Sequence, residues 1–536
     1  MLRRNKALAY MLSVIMGLSI AVPGAKAYAF TDDEYKTALK DSVNFYDANK
    51  CGKEVANDNV FSWRGPCHLN DGKNLGIDLT GGYHDAGDCV KFGLPQSYSA
   101  SVMGWALYEF KDGFKKAGAY NKQLGQLKYF TDYIIKCHYA DGKFVYQVGD
   151  GDQDHNYWGA PENEQDGPTL RQSVRIADSA HSASDVLGES TAALALMYLN
   201  YKDKDSAYAE KCLKEAKELY EMGKANPGRN DLYNFYVSGS YSDDMAWGAT
   251  WLYEATKDQS YLNEAKQFLV KENPWLESNW TMCWNDMKVP TVLKLYEITK
   301  DATYKKAIEY NLNYWENDLR PVKGGIKIRD DWGSLRYTAA ESMLALVYNK
   351  INPSSALTNF ASSQINYILG DNPDKMSYQV GFGNKWPQHA HHRAANGYDK
   401  EKDANYKTLP NKYVLTGALV GGPKGDGTFK DELDEYTYTE VALDYNAGWV
   451  GALAGYVELN CSGEIPIDPP IDIPTGKLFG DVNDDKEIDL SDYTLFRKYL
   501  NNGGENSNIK INTENADVNE DGNINFFDLV ALKTLI

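Results

Sequence analysis

The chain has 536 residues, 43% of them hydrophobic and 13% aromatic: a globular composition, and more chain than one average domain needs. Its formal charge of −19, from 56 basic and 75 acidic residues, offers no basic face of the kind that replaces counterions on nucleic acid. After the first 29 residues no segment is long and apolar enough to cross a bilayer, so neither nucleic acid nor membrane is expected as a partner. Residues 1–29 read as an export signal. Arg3, Arg4 and Lys6 form a positive start, Ala9 to Val22 is mostly apolar, and Ala25, Ala27 and Ala29 offer cleavage after Ala27 or Ala29. An uncleaved anchor is the alternative; the mature chain is expected to be soluble and secreted.

Residues 30–461 are dominated by helical periodicity, with strand-like alternation scarce. About twelve segments carry it, near 34–49, 97–110, 121–138, 190–201, 207–222, 244–256, 260–271, 289–300, 304–317, 336–351, 354–370 and 440–459. Tyr253-Glu-Ala-Thr-Lys-Asp-Gln-Ser-Tyr261 recurs as Tyr296-Glu-Ile-Thr-Lys-Asp-Ala-Thr-Tyr304, each at a junction between helices. Repeated helical hairpins bury their faces by stacking on neighbours, so six pairs could close into an (α/α)6 barrel or continue as an open solenoid. Long loops at 61–96, 139–189 and 371–439 favour the barrel, because they would gather on one face and shape a cleft.

Seven cysteines rule out a complete disulfide framework in a secreted chain. Cys51, Cys67, His68 and His84 supply two thiolates and two imidazoles, a set suited to structural tetrahedral zinc. A Cys51–Cys67 disulfide is the alternative, and Cys89 could substitute for one ligand. Gly81-Gly-Tyr-His-Asp-Ala-Gly-Asp88 packs two carboxylates into a glycine-rich loop, where one could activate a water that the other orients. By itself this is also what an ordinary turn looks like. Ser377 to Arg393 crowds three histidines and an arginine into a second loop, and Phe429 to Glu440 leads into a helix through Asp444-Tyr-Asn-Ala-Gly448.

Residues 462–476, SGEIPIDPPIDIPTG, form a proline-rich linker to a small unit at 477–536. There, oxygen ligands fall at positions 1, 3, 5, 9 and 12 of two loops: Asp481, Asn483, Asp485, Asp489 and Asp492, then Asp517, Asn519, Asp521, Asn525 and Asp528. That spacing wraps a calcium ion. Aspartate at position 12 and one helix per loop resemble the dockerin module of cellulosomal enzymes, which implies a cohesin domain as partner. Lys486 departs from the usual glycine, and the partner-choosing positions are Leu490-Ser491 and Phe526-Phe527.

The aspartate, histidine and glutamate segments together resemble the signatures of glycoside hydrolase family nine. That resemblance implies an all-α (α/α)6 barrel and endo-acting hydrolysis of β-1,4-glucosidic bonds in cellulose with inversion. It makes Asp88 the general base, Asp85 its partner on the water, and Glu440 the general acid. His391 and Arg393 would bind substrate hydroxyls, and Asp431 would support the site. A sugar groove is implied at His155, Trp158, Phe235, Tyr236, Trp280, Trp332, Arg336 and Tyr445, residues that singly also read as core aromatics or their neighbours. It further implies a calcium site near Asp243, Asp244, Asn285 or Asp286. Inversion asks for one carboxylic acid and one carboxylate with room for water between them, hence a raised Glu440 and a low Asp88. The alternative function is a non-catalytic β-glucan-binding subunit.

Overall fold

Twelve helices of eleven residues or more occur among the described residues of the larger unit, and they alternate between two kinds of sequence. The computed structural model describes residues 30–57, 59–164, 173–230, 235–463, 480–484, 488–504, 508–518 and 523–533, so the export signal, most of the linker, Asp485, Lys486, Asn519 and Asp521 lie outside them. In chain order the helices are α1 (Asp32–Asn44), α2 (Gly93–Glu109), α3 (Tyr120–Cys137), α4 (Ser184–Tyr201), α5 (Ser206–Ala225), α6 (Ser242–Thr256), α7 (Gln259–Leu269), α8 (Lys288–Thr299), α9 (Ala302–Asn313), α10 (Ser334–Ile351), α11 (Ser355–Leu369) and α12 (Leu443–Asn460). The even-numbered helices are buried almost all round, whereas the odd-numbered ones bury a single stripe. Each even helix packs on the next, and α12 returns to pack on α2, which closes an inner ring that an open solenoid would not have.

Close packing in that ring depends on small residues. A Cβ on Gly188 of α4 would lie 2.5 Å from the carbonyl carbon of Asp244 in α6, so the two backbones meet there. Trp105, Trp247, Trp251 and Trp449 fill the remaining space, each with no exposed surface, and truncating one would cost about 3–5 kcal/mol. The repeated Thr-Lys-Asp is a stop and a start. Lys257 and Lys300 end α6 and α8 in the left-handed conformation, and Asp258 and Asp301 cap the next helices by accepting from the Ser260 and Thr303 amides.

The 139–189 loop contains more order than its sequence suggests. Its β3 forms a small antiparallel sheet with β1, β2 and β4, where β1 is Lys91–Phe92, β2 His138–Ala140, β3 Lys143–Val148 and β4 Val174–Ala177. The pairing Lys91↔Val148 anchors the end of the aspartate loop.

The chain divides into Met1–Ile465 and Pro466–Ile536. In the second unit α13 (Leu490–Asn501) and α14 (Phe526–Lys533) pack over Val482, Phe496, Tyr499, Leu529 and Leu532.

Candidate active site

The aspartate loop is held by hydrogen bonds on both sides. Asn49 donates to the carbonyls of His84 and Ala86, the Asp85 amide donates to Val90, and the Leu443 amide at the start of α12 donates to the Asp85 carbonyl. Gly87 is required by contact: a Cβ there would lie 2.1 Å from the His391 carbonyl oxygen. The Arg393 amide in turn donates to the Gly87 carbonyl, so the second predicted loop lies directly against the first. Glu440 follows a short helix, Tyr436–Thr439, and pairs with His391 in a parallel bridge.

These segments line a cleft of about 790 Å³. Asp85, Asp88, His155, Trp158, Phe235, Tyr236, Trp332, Arg336, His391, Arg393, Glu440 and Tyr445 all face it. Asp88 Oδ1 accepts from the Ala86 amide at 3.1 Å, its Oδ2 accepts from the Val90 amide at 3.3 Å, and His155 Nε2 stands 3.8 Å from Oδ2. Tyr236 donates its hydroxyl to Asp85 Oδ2 at 2.5 Å. Glu440 Oε2 accepts from Trp332 Nε1 at 3.1 Å and from the Tyr445 hydroxyl at 3.0 Å. Trp332, 47% exposed, stands at the mouth of the cleft.

The environments drive the carboxyls apart. Burial pushes Glu440 above the usual glutamate range, with the Asp444 charge adding to the shift. Burial would also raise Asp88, but hydrogen bonding and charge from His155, with the Arg393 charge, outweigh it and hold Asp88 low. Asp85 is pushed well above its ordinary value by burial and by the Asp88 charge. His391 donates Nδ1–H to the Leu433 carbonyl at 2.6 Å, and burial depresses its pKa, so the neutral ring keeps Nε2 as an acceptor. Arg393 is fixed by Asp154, its Nη1 2.6 Å from the buried carboxylate, and Arg336 by Asp444 at 2.9 Å.

Two expected residues stand elsewhere. Trp280 does not line the cleft: its ring packs on Tyr337 with Arg329 over it. Asp431 accepts from the Gln388 and His389 amides at 2.8 and 2.9 Å, so it braces the loop ahead of His391 and does not face the cleft. Conversely, Trp284, Tyr406 and Tyr436 line the cleft without having been singled out in the sequence. Trp284, four residues after Trp280, was the legible clue, because either ring of that pair could have turned inward.

Beside the aspartate loop, one ligand atom from each of Cys51, Cys67, His68 and His84 lies within 4.8 Å of the others, and all four residues are buried. His68 Nδ1 is 3.6 Å from Cys51 Sγ and 3.0 Å from His84 Nε2, and Cys67 Sγ is 4.0 Å from that nitrogen. Those separations suit a tetrahedron with zinc bonds of about 2.0–2.3 Å. His68 Nε2 lies 2.5 Å from Glu164 Oε2, which fixes the tautomer that turns Nδ1 toward the other ligands. Cys51 and Cys67 are both free thiols, against the disulfide alternative, and Cys89 groups with His68 and Glu164 instead.

The second metal expectation fits less completely. Asp243 and Asp244 each keep one buried oxygen without a partner, but Asp243 Oδ2 accepts from the Met287 amide, Asn285 Oδ1 from Gly239 and Asp286 Oδ1 from Lys288. Burial raises all three aspartates, with neighbouring carboxylates adding to it for Asp244 and for Asp286, which reaches about 7.

In the small unit, Asp492 Oδ1 accepts from the Val482 and Asn483 amides and Oδ2 from the Asp489 amide, and Asp489 caps α13. Asp528 Oδ2 accepts from the Asn525 amide in the second loop, and Asn515 holds the Asp481 carbonyl. Asp517 belongs to the same unit. Leu490 and Phe526 are exposed.

The family model for glycosyl hydrolase family 9 matches residues 35–453, and that for the dockerin type I domain matches 479–536. Among solved structures, the cellulase Cel9M of C. cellulolyticum is 56% identical, covering 79% of this chain and 98% of that one with a TM-score of 0.76. Endoglucanase CelQ from Clostridium thermocellum, complexed with cellotetraose, is 34% identical, covering 82% and 73% with a TM-score of 0.72. Endoglucanase 4 of Bacillus sp. (strain KSM-522) is 38% identical over 470 residues, 83% of this chain and 72% of that protein.

Proposed function

The chain belongs to glycosyl hydrolase family 9, and from that premise we propose that Asp88 and Glu440 carry its endo-1,4-β-glucanase reaction, by inversion at the anomeric carbon. The observation that supports this assignment is the opposed environment of two carboxyls in one cleft, Asp88 held low and Glu440 raised. Protonated Glu440 gives its proton to the glycosidic oxygen as the bond to the anomeric carbon breaks. Asp88 takes a proton from the water that attacks that carbon from the opposite face, and Asp85 orients the water. Neutral His391 and the braced Arg393 bind sugar hydroxyls, while Trp332, Trp158 and Tyr236 pack against sugar faces and edges. Activity should fall as pH drops through the Asp88 pKa, below 3.8, and as it rises through the Glu440 pKa, above 4.5.

The type I dockerin domain attaches this activity to a scaffold through a cohesin domain. Its two loops would take calcium on the oxygens at positions 1 to 12, and the Cys51, Cys67, His68 and His84 cluster would take zinc, whose role is to tie the aspartate loop to the barrel wall. Export by residues 1–29 puts the enzyme outside the cell in such an assembly.

Viscosity loss of carboxymethyl cellulose tests the reading. Wild type should thin the solution rapidly, and Asp88→Ala and Glu440→Gln should not. Wild-type levels of activity in both variants would discard the residue assignment, and an inactive wild type would bring back the binding-subunit alternative.

A further inference from the structure

A second cleft, of about 660 Å³, opens between residues 374–388 and 427–431, apart from the one that holds Asp88 and Glu440. Met376, Trp386 and Phe429 supply its apolar wall, and Asn384, Gln388 and Asp431 its polar one. A sugar ring offers the same two things, an apolar C–H face and a rim of hydroxyls. Half-buried aromatics beside amide groups are therefore its natural counterpart.

The cleft is built in advance of any ligand. Asp431 ties down the Gln388 and His389 amides, the Ser377 amide donates to the Lys385 carbonyl at 2.9 Å, and Phe429 is fixed edge-on to Tyr378 and Tyr438. Trp386, in contrast, is half-buried with no aromatic ring against it, and its indole N–H donates to no protein group among the described residues. The Asn384 amide is likewise exposed and bonds to no protein group among the described residues. Lys385 lies with Asp374 and Asp431 in the same wall, so no one-sided field selects a charged ligand.

The occupant follows from continuity. The two segments that line this cleft run on into the catalytic one, the first through His391 and Arg393 and the second through Asp434, Tyr436 and Glu440. We infer that this cleft is a second, non-catalytic binding site for a β-1,4-glucan chain. It rests on the reading that the catalytic cleft takes β-glucan, and it adds a site that would hold polymer on the enzyme independently of cleavage.

Electrophoresis of the full chain through gels with and without hydroxyethyl cellulose tests it. The starting protein carries Glu440→Gln and Trp332→Ala, so that cleavage is stopped and the catalytic cleft weakened. Its migration should still be retarded by the polysaccharide, and adding Trp386→Ala should abolish most of that retardation. Should Trp386→Ala lower the melting temperature markedly, Asn384→Ala with Gln388→Ala replaces it, with the same loss expected. Retardation unchanged by either replacement overturns the inference. If wild type cleaves carboxymethyl cellulose yet no Trp386-dependent retardation is found, only this site is lost. If wild type neither cleaves nor is retarded, the β-glucan reading fails with it.

Discussion

The catalytic cleft and the aspartate-rich loops of the small unit use carboxylates in opposite ways. In the cleft, Asp88 and Glu440 come from distant parts of the chain, and backbone hydrogen bonds, a glycine contact and buried partners hold them. In the small unit the oxygens come from contiguous loops, and local bonds of Asp492 to the Val482, Asn483 and Asp489 amides fold the first loop on itself. The barrel thus sets its charges by burial, whereas the small loops gather charge that a cation must neutralise. One site should survive removal of calcium and the other should not.

The largest effect expected is on catalysis alone. Glu440→Gln or Asp88→Ala should lower the rate of reducing-sugar release by about 10²–10⁴-fold. Cohesin binding, measured by calorimetry, should be unchanged, and any joint loss would blur the division between the two sites. Calcium chelation should do the reverse, abolishing cohesin binding and reducing the helicity of the small unit, while most carboxymethyl cellulose hydrolysis persists. Asp492→Ala should copy that outcome at the first loop. A smaller effect is expected at the cysteine–histidine cluster, where Glu164 orients His68. Glu164→Gln should weaken zinc retention by about 10–100-fold, read by metal analysis after dialysis against competing chelator. Zinc content indifferent to Glu164 and to Cys67→Ser would remove zinc from the account.

The smallest effect concerns barrel stability. Glu341 is fully buried in α10 with neither carboxyl oxygen engaged by a hydrogen-bond partner among the described residues, and that burial raises its carboxyl to about 8. The folded state therefore holds a proton that the unfolded state releases near its ordinary value of 4.5. Its stabilising contribution is complete below that value and is lost as pH rises through about 8. Glu341→Gln should flatten the fall in melting temperature between those limits, and an unaltered slope would mean that Glu341 is not the group responsible.

Much of the barrel was legible because its helices repeat an apolar period, and all twelve segments correspond to helices. The start of α4 was not: Ser184, Asp185 and Glu189 are polar yet buried, which erased the period before residue 190. The strands around β3 were missed because they are short and lie within a loop. At the site, the motif loops named the residues that face the cleft on their own backbone. The resemblance picked Trp280 where Trp284 lines the cleft, since which ring turns inward depends on packing against Tyr337 and Tyr236. The resemblance implied that Asp431 supports the site, but that it would do so by accepting from the Gln388 and His389 amides, outside the cleft, could not be read from the sequence.

The central claim is that one acid and one base act across a gap wide enough for water. Proton NMR of the first sugar ends released from a β-1,4-linked cello-oligosaccharide tests it most directly, recorded before the anomers interconvert. The α-anomer should appear first and the β-anomer grow in afterwards. An initial β-anomer would contradict the account, because the second carboxylate would then have attacked the sugar itself.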